Sequence, residues 1–261
     1  MANAVARQID RIDVDKVGGA PAFTERDALR LNNLFRGVPT VEMLRTVLAE
    51  QMAGEIAIVS SFGAESAVLL HLVASVDPSV PVIFLDTGKH FPETLAYRDQ
   101  LAEKLGLTNL RIVTPDAETI AKKDETGLRW SYDPDGCCEI RKVIPLEQAM
   151  AGFDASITGR KAFQASTRNA LPRFEVDGAG KLKVNPLADW TKADLDAYFV
   201  AHDLPPHPLV AEGYLSIGCA PCTNKVKPGE DARSGRWAGW DKTECGIHTP
   251  VADGDPDQPM F

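Results

Sequence analysis

Glu55-Ile-Ala-Ile-Val-Ser-Ser-Phe-Gly-Ala-Glu-Ser66 decides how this chain is read. Glu55 to Ser61 is a short apolar run of the kind carried by a strand buried on both faces. Ser60 to Glu65 makes a turn, and Ser66 to Val76 reads as a helix. The pattern then repeats. Pro81-Val-Ile-Phe-Leu-Asp86 is a second buried strand, Thr87-Gly88 a turn, and Pro92 to Leu105 a helix. Asn109 to Val113 supplies a third strand and Ala155 to Thr158 a fourth. Strands alternating with helices of roughly 10–15 residues predict βαβ units. The expected fold is α/β: a single domain with a central, mostly parallel sheet flanked by helices.

Outward from that centre, residues 1–23 carry Gly18-Gly19 and Pro21 and read as a flexible N-terminal arm. Thr24 is placed to cap a helix reaching Leu34, and a second helix covers 40–53, ending at Gly54. Phe174 to Val184 suggests a hairpin with Asp177-Gly178 between its arms. A helix from Lys192 to His202 follows. Beyond Pro205 Gly and Pro are frequent and periodicity is lost, so 205–261 is expected to be irregular and held by the site. The division is therefore an arm over 1–23, an α/β nucleotide-binding unit over 24–204, and a C-terminal segment over 205–261.

Bulk composition narrows the function. A chain of 261 residues, 44% hydrophobic and 25% charged, is long enough for one large α/β domain. No run approaches the ~20 apolar residues of a membrane helix, and the charged opening MANAVARQIDRIDVD lacks an apolar signal region. Five cysteines, an odd number, do not suit a disulfide scaffold. A cytoplasmic protein with no membrane partner is expected. A net charge of -9 argues against nucleic acid. Basic residues nevertheless gather at Arg141-Lys142, Arg160-Lys161, Arg168, Lys225–Lys227 and Arg233–Arg236, close in sequence to the cysteines. That pattern suits a small anion.

Two loops are placed to hold a nucleotide. Ser60 to Ser66 offers hydroxyls and backbone N–H groups ahead of a helix, although it lacks the Walker pattern. Leu85-Asp-Thr-Gly88 ends the next strand and opens on the same edge, where open α/β sheets bind ligands.

Four of the cysteines are paired: Cys137-Cys138, and Cys219 and Cys222 in a C-x-x-C. Adjacent residues point in different directions, so Cys137-Cys138 needs an irregular turn, which Pro134 and Gly136 permit, to serve one centre. Buried structural thiols, a strained vicinal disulfide, zinc and an iron–sulfur cluster all remain open on spacing alone. Cys245 stands apart in Lys242-Thr-Glu-Cys-Gly-Ile-His248. Neighbouring cations lower a thiol's pKa and favour a reactive thiolate, and Glu244 opposes them.

Together these segments resemble the family of assimilatory adenylyl-sulfate and phosphoadenylyl-sulfate reductases, within the PP-loop nucleotide-binding superfamily. The resemblance rests on SSFGAES at 60–66, LDTG at 85–88, GCCEIRKVIPL at 136–146, TGRKAFQASTR at 158–168, NPLADWT at 185–191, GYLSIGCAPCT at 213–223, PGEDARSGRW at 228–237 and KTECGIH at 242–248. One departure is that the first loop of the family usually ends in Asp, where this chain has Ser66.

The resemblance implies several things at once. Members with both cysteine pairs carry a [4Fe-4S] cluster and mostly reduce adenylyl sulfate. Here Cys137, Cys138, Cys219 and Cys222 would hold one cluster per subunit. Cys245 would attack the sulfate sulfur, releasing AMP and leaving an S-sulfocysteine, with His248 assisting. Thioredoxin or a glutaredoxin-like dithiol would then release sulfite. Lys142, Arg160, Arg168, Arg233 and Arg236 would contact substrate, offsetting anion–anion repulsion. Ser60, Ser61, Phe62, Gly63, Leu85, Asp86, Thr87 and Gly88 would line the adenosine pocket. A dual adenylyl and phosphoadenylyl-sulfate reductase, a PP-loop ATP pyrophosphatase with a cluster, and a redox-sensing metal module remain as alternatives. Self-association is left open.

Overall fold

Thr24 opens the first helix of the computed structural model, which describes residues 22–162, 171–242 and 246–247. The Asp27 amide donates to the Thr24 hydroxyl, and the Asp27 carboxylate accepts from the Thr24 amide, a reciprocal cap. α1 (Glu25–Leu34) and α2 (Thr40–Ala49) follow. α2 ends earlier than expected, because Gln51 turns left-handed (φ 50°) ahead of Gly54. Phe23, placed in the arm by the sequence, is buried, and its amide donates to the Gly180 carbonyl; residues 1–21 of that expected arm lie outside the described residues.

Next come β1 (Ile56–Val59), α3 (Ser66–Ala74), β2 (Val82–Leu85), α4 (Pro92–Leu105), β3 (Leu110–Val113) and α5 (Ala117–Lys123). α6 (Pro134–Cys138) and α7 (Ile144–Ala149) are joined through a π turn over Glu139–Val143. β4 (Ala155–Ile157), β5 (Phe174–Val176), β6 (Leu182–Val184) and α8 (Lys192–Ala201) complete the regular elements. In the hairpin between β5 and β6, Asp177 accepts from the Ala179 and Lys181 amides, and Gly180 takes the positive φ of 72°. Asp177-Gly178 lies between the two arms as expected, and Gly180 supplies the positive φ.

The six strands lie in the order β3-β2-β1-β4-β6-β5, and only β5 runs antiparallel to its neighbour. Alternation along each strand divides the core. Ile58, Val82, Phe84, Ile157 and Val184 belong to a large cluster that includes Leu44 and Val47 of α2, Leu69 and Leu72 of α3, and Tyr97 of α4. Ala57, Ile83 and Leu85 pack with Met150 and Phe153, against Leu146 of α7. Coverage of both faces explains the unbroken apolar runs in β1 and β2. The β5 edge is sealed by α1, since the Asn32 amide donates to the Phe174 carbonyl (2.7 Å) and accepts from its N–H (3.1 Å).

Strand order reverses between β1 and β4, so the crevice at their carboxyl ends is the topological switch point where such sheets bind ligands. From 205 to 242 the chain has short 3-10 turns, Pro208–Val210 and Ala220–Cys222, and isolated bridges from Cys219 to His90 and from Thr223 to Arg236. His207 fixes it. The Leu209 amide donates to His207 Nδ1 (3.2 Å), leaving Nε2 to donate to the Thr94 hydroxyl (3.1 Å), and Tyr97 donates to the Pro205 carbonyl (2.8 Å). Among the described residues no helix is long and apolar enough to cross a membrane.

Candidate active site and four-cysteine centre

At the end of β1 the loop tightens on itself. Ser60 accepts the Phe62 N–H (3.2 Å), and Phe62 adopts φ 49°, a left-handed conformation rare for a bulky residue. Its ring is wholly buried against Phe84, so Phe62 supports the loop from beneath while Ser61 is exposed. Gly63 packs closely here, since a Cβ would lie 3.2 Å from the Ile217 carbonyl. Ser66 is the first residue of α3. Behind the loop, the buried Lys161 ammonium holds Glu65 at 2.9 Å.

The end of β2 is tied to the cysteines. Asp86 accepts the Gly88 amide (3.0 Å), and Gly88 has φ 67°. Thr87 is buried; its hydroxyl accepts the Lys89 amide (3.2 Å) and lies 3.3 Å from Cys219 Sγ. Its carbonyl accepts from Arg141 Nη1 (2.8 Å). The Ala220 amide donates to the Lys89 carbonyl (2.7 Å), fastening the C-x-x-C loop to the same segment.

Cys137 and Cys138 sit on a helix, where an irregular turn was expected. Asp133 caps α6 through the Gly136 amide (2.8 Å) and pairs with Arg129, whose Nη2 lies at 2.7 Å. Gly136 has no space for a side chain, since a Cβ would fall 2.1 Å from the Arg129 guanidinium. The two cysteines close α6, and the π turn that follows buries Ile140 and Arg141. Such turns concentrate at functional sites. They widen the helix locally, which changes the directions that successive side chains take.

All four paired cysteines line one cavity, with Lys89, Trp130, Arg141 and Lys142 in its wall. None is in a disulfide. Burial pushes the Cys137 thiol up; Arg141 opposes this, and Cys219 and Cys222 add to it. Burial likewise raises Cys222, reinforced by Cys219 and opposed by Lys142, Arg236 and Lys242. Thiols that raise one another's pKa would need a shared cation before all could ionise. Four soft donors in a cationic wall are the ligand chemistry of zinc or an iron–sulfur cluster, although among the described residues no three His, Cys, Asp or Glu side chains are grouped as a metal ion would need.

The chain from 228 to 242 folds back onto this centre. Arg236 donates from Nε to the Cys222 carbonyl (3.2 Å) and stacks 4.3 Å over the Trp237 ring. Arg233 and Lys242 lie 5.8 and 5.7 Å from the same ring, and Lys242 also pairs with Asp135. Trp237 is itself strained (φ 49°), and its buried indole N–H has no acceptor among the described residues. Lys142 and Arg236 thus lie beside the cysteines, and Arg233 lies against Trp237. Arg160 turns elsewhere: it pairs with Glu175 on β5 and donates to Asn185 (3.3 Å). Arg168, Cys245 and His248 lie outside the described residues.

Residues 55–225, which span both loops and all four paired cysteines, match the phosphoadenosine phosphosulfate reductase domain. The chain belongs to this family. Its relatives include the adenosine 5'-phosphosulfate reductase of Mesorhizobium japonicum, 53% identical over 235 residues, covering 90% of this chain and 92% of that one. The protein of the same name from Chelativorans sp. is 60% identical over 197 residues, 76% of this chain and 80% of its own. Among solved structures, the phosphoadenylyl-sulfate reductase from Candida auris in its phosphate complex superposes with a TM-score of 0.68 at 29% identity, covering 80% of this chain and all of that one.

Membership in the phosphoadenosine phosphosulfate reductase family bears out the fold class expected from sequence. The family match ends before Arg233 and Arg236, and it is this structure that brings Arg236 to the Cys222 carbonyl and Arg233 to the Trp237 ring. Sequence reasoning missed Lys89, Asp124, Arg141, Lys161 and Trp237 as site components. For Arg141 the signal was present in the Arg141-Lys142 pair; for Asp124 there was none.

Proposed function

We propose that this chain reduces adenylyl sulfate to sulfite and AMP in sulfate assimilation, with electrons from thioredoxin or a similar dithiol. The observation that carries the reading is Thr87, which joins the loop at the end of β2 to both Cys219 and Arg141. A nucleotide-binding edge and a four-thiol centre thereby form one site. The names of the full-length relatives supply the substrate.

In this reading Ser60, Ser61, Gly63 and Leu85 to Gly88 hold the adenosine at the switch point. Lys142, Arg233, Arg236 and Arg168 offset the charge of the phosphosulfate. Cys245 Sγ, as thiolate, attacks the sulfate sulfur. The S–O bond to the phosphate breaks, AMP leaves with the electron pair, and Cys245 carries the sulfonate. A donor thiolate then attacks Cys245 Sγ, sulfite departs, and the second donor thiol frees Cys245 as the donor becomes a disulfide. His248 assists the Cys245 thiolate. We further propose that Cys137, Cys138, Cys219 and Cys222 hold one [4Fe-4S] cluster, which when bound supplies a fixed local field rather than the two electrons. The need for reduced thiols places the reaction in the cytoplasm.

The test is to incubate anaerobically prepared protein with adenylyl sulfate and no thiol. Mass analysis should find one added SO3 group, on Cys245 alone. A chain that consumes adenylyl sulfate with its cysteines unmodified would reject this chemistry.

A further inference from the structure

Asp124 lies in the turn after α5, outside every motif singled out in the sequence, yet its side chain is completely buried. Oδ1 accepts the Arg129 amide (2.8 Å), and Oδ2 accepts from Arg141 Nε (3.1 Å) and Nη2 (2.7 Å). With those two nitrogens held, the third, Nη1, is the one that reaches the Thr87 carbonyl. A second tie runs in parallel. Lys89 Nζ donates to the Gly127 carbonyl (2.6 Å), and the Gly127 amide closes the same turn onto the Asp124 carbonyl (2.9 Å). The turn at 124–127 is thus bonded to Lys89 in the loop after β2, to Arg141 in the π turn that follows Cys137 and Cys138, and, through the Lys89 carbonyl, to the C-x-x-C loop.

A buried ion pair gives up the solvation of both charges and adds little net stability. Its value here is orientation. We propose that Asp124 is a positioning residue, holding Arg141 so that the loop at 85–90 and the cysteine-bearing helix behave as one rigid unit. This deepens the proposed function, because it rests on reading Leu85 to Gly88 as the nucleotide loop. Asp124 takes no part in the chemistry. Its effect reaches the substrate only through Arg141 and Thr87.

Hydrogen exchange by mass spectrometry on the anaerobically purified full chain tests this, with AMP titrations alongside. In Asp124→Asn, amides over 85–90 should exchange about tenfold faster, with α1–α3 unchanged, and AMP should bind about tenfold more weakly, the loss of roughly one charge-assisted hydrogen bond. Should that variant fail to fold, Arg141→Lys serves: it keeps a cation beside Asp124 but lacks the fork that reaches Thr87, and the same loosening is expected. Wild-type exchange at 85–90 in either folded variant overturns the proposal. So does faster exchange spread evenly over the sheet, which marks a purely structural pair. The exchange comparison needs no substrate, so a wild-type chain that makes no sulfite would count against the reaction and leave this result standing.

Discussion

The Thr87 hydroxyl lies 3.3 Å from Cys219 Sγ, at the point where the end of a parallel strand meets a cysteine loop far along the chain. The same hydroxyl accepts the Lys89 amide. Thr87→Val keeps the shape and removes both contacts, leaving a buried donor unpaired. Chemical denaturation should show a loss of about 1–3 kcal/mol, and, if the proposed cluster is held here, its iron should be released faster to a chelator. An unchanged release rate would mean that the contact does nothing for the centre.

Gly218 packs under Arg236: a Cβ there would fall 2.4 Å from the guanidinium, the movable end of that side chain. Gly218→Ala should therefore push Arg236 aside and leave the fold intact. The expected result is a KM for adenylyl sulfate raised about tenfold, the worth of roughly one charged contact, with the melting temperature nearly unchanged.

The buried Lys161 pairs with the partly exposed Glu65 behind the first loop. Lys161→Met removes this cation from the carboxylate, which also has Lys192 at 3.9 Å. The cost should be ~3 kcal/mol. Adding Glu65→Gln should recover a large part of it, and a double-mutant cycle by urea denaturation measures the coupling.

Burial holds His207 down at about 4, with Glu93 opposing weakly. The folded state therefore favours neutral imidazole. The stability this contributes is fully present above the unfolded value near 6.5 and is lost as pH falls from there towards 4. Wild type should lose of order 2 kcal/mol more than His207→Gln over that interval, less than the ~3 kcal/mol of the unscreened shift. His71 and His90 are also lowered by burial, so the comparison with His207→Gln isolates His207. Parallel pH profiles for the two proteins would contradict the assignment.

The sequence showed the sheet well wherever apolar runs were bounded by caps and turns. β1, β2, α4 and the Thr24 cap fall where those signals put them. Between Thr114 and Asp154 it showed little. That stretch is punctuated by Gly127, Pro134, Gly136 and Pro145, and its helices rest on tertiary contacts, such as Arg129 with Asp133 and Arg141 with Asp124. The paired spacing announced that the cysteines share a site. It did not announce the π turn beneath them, because turn widening has no residue signature comparable to a cap. Basic clusters identified candidate arginines but not their partners. Arg236 meets Cys222 and Arg160 meets Glu175, and only the folded chain separates the two.

The most direct measurement is sulfite release by anaerobically purified protein with reduced thioredoxin, given adenylyl sulfate or its 3′-phosphorylated form, beside Cys245→Ser. Sulfite from adenylyl sulfate, abolished in Cys245→Ser, is the predicted result. Comparable release from both nucleotides would make the enzyme dual-specific. No sulfite from either, by protein retaining its four-cysteine centre intact, would contradict the account.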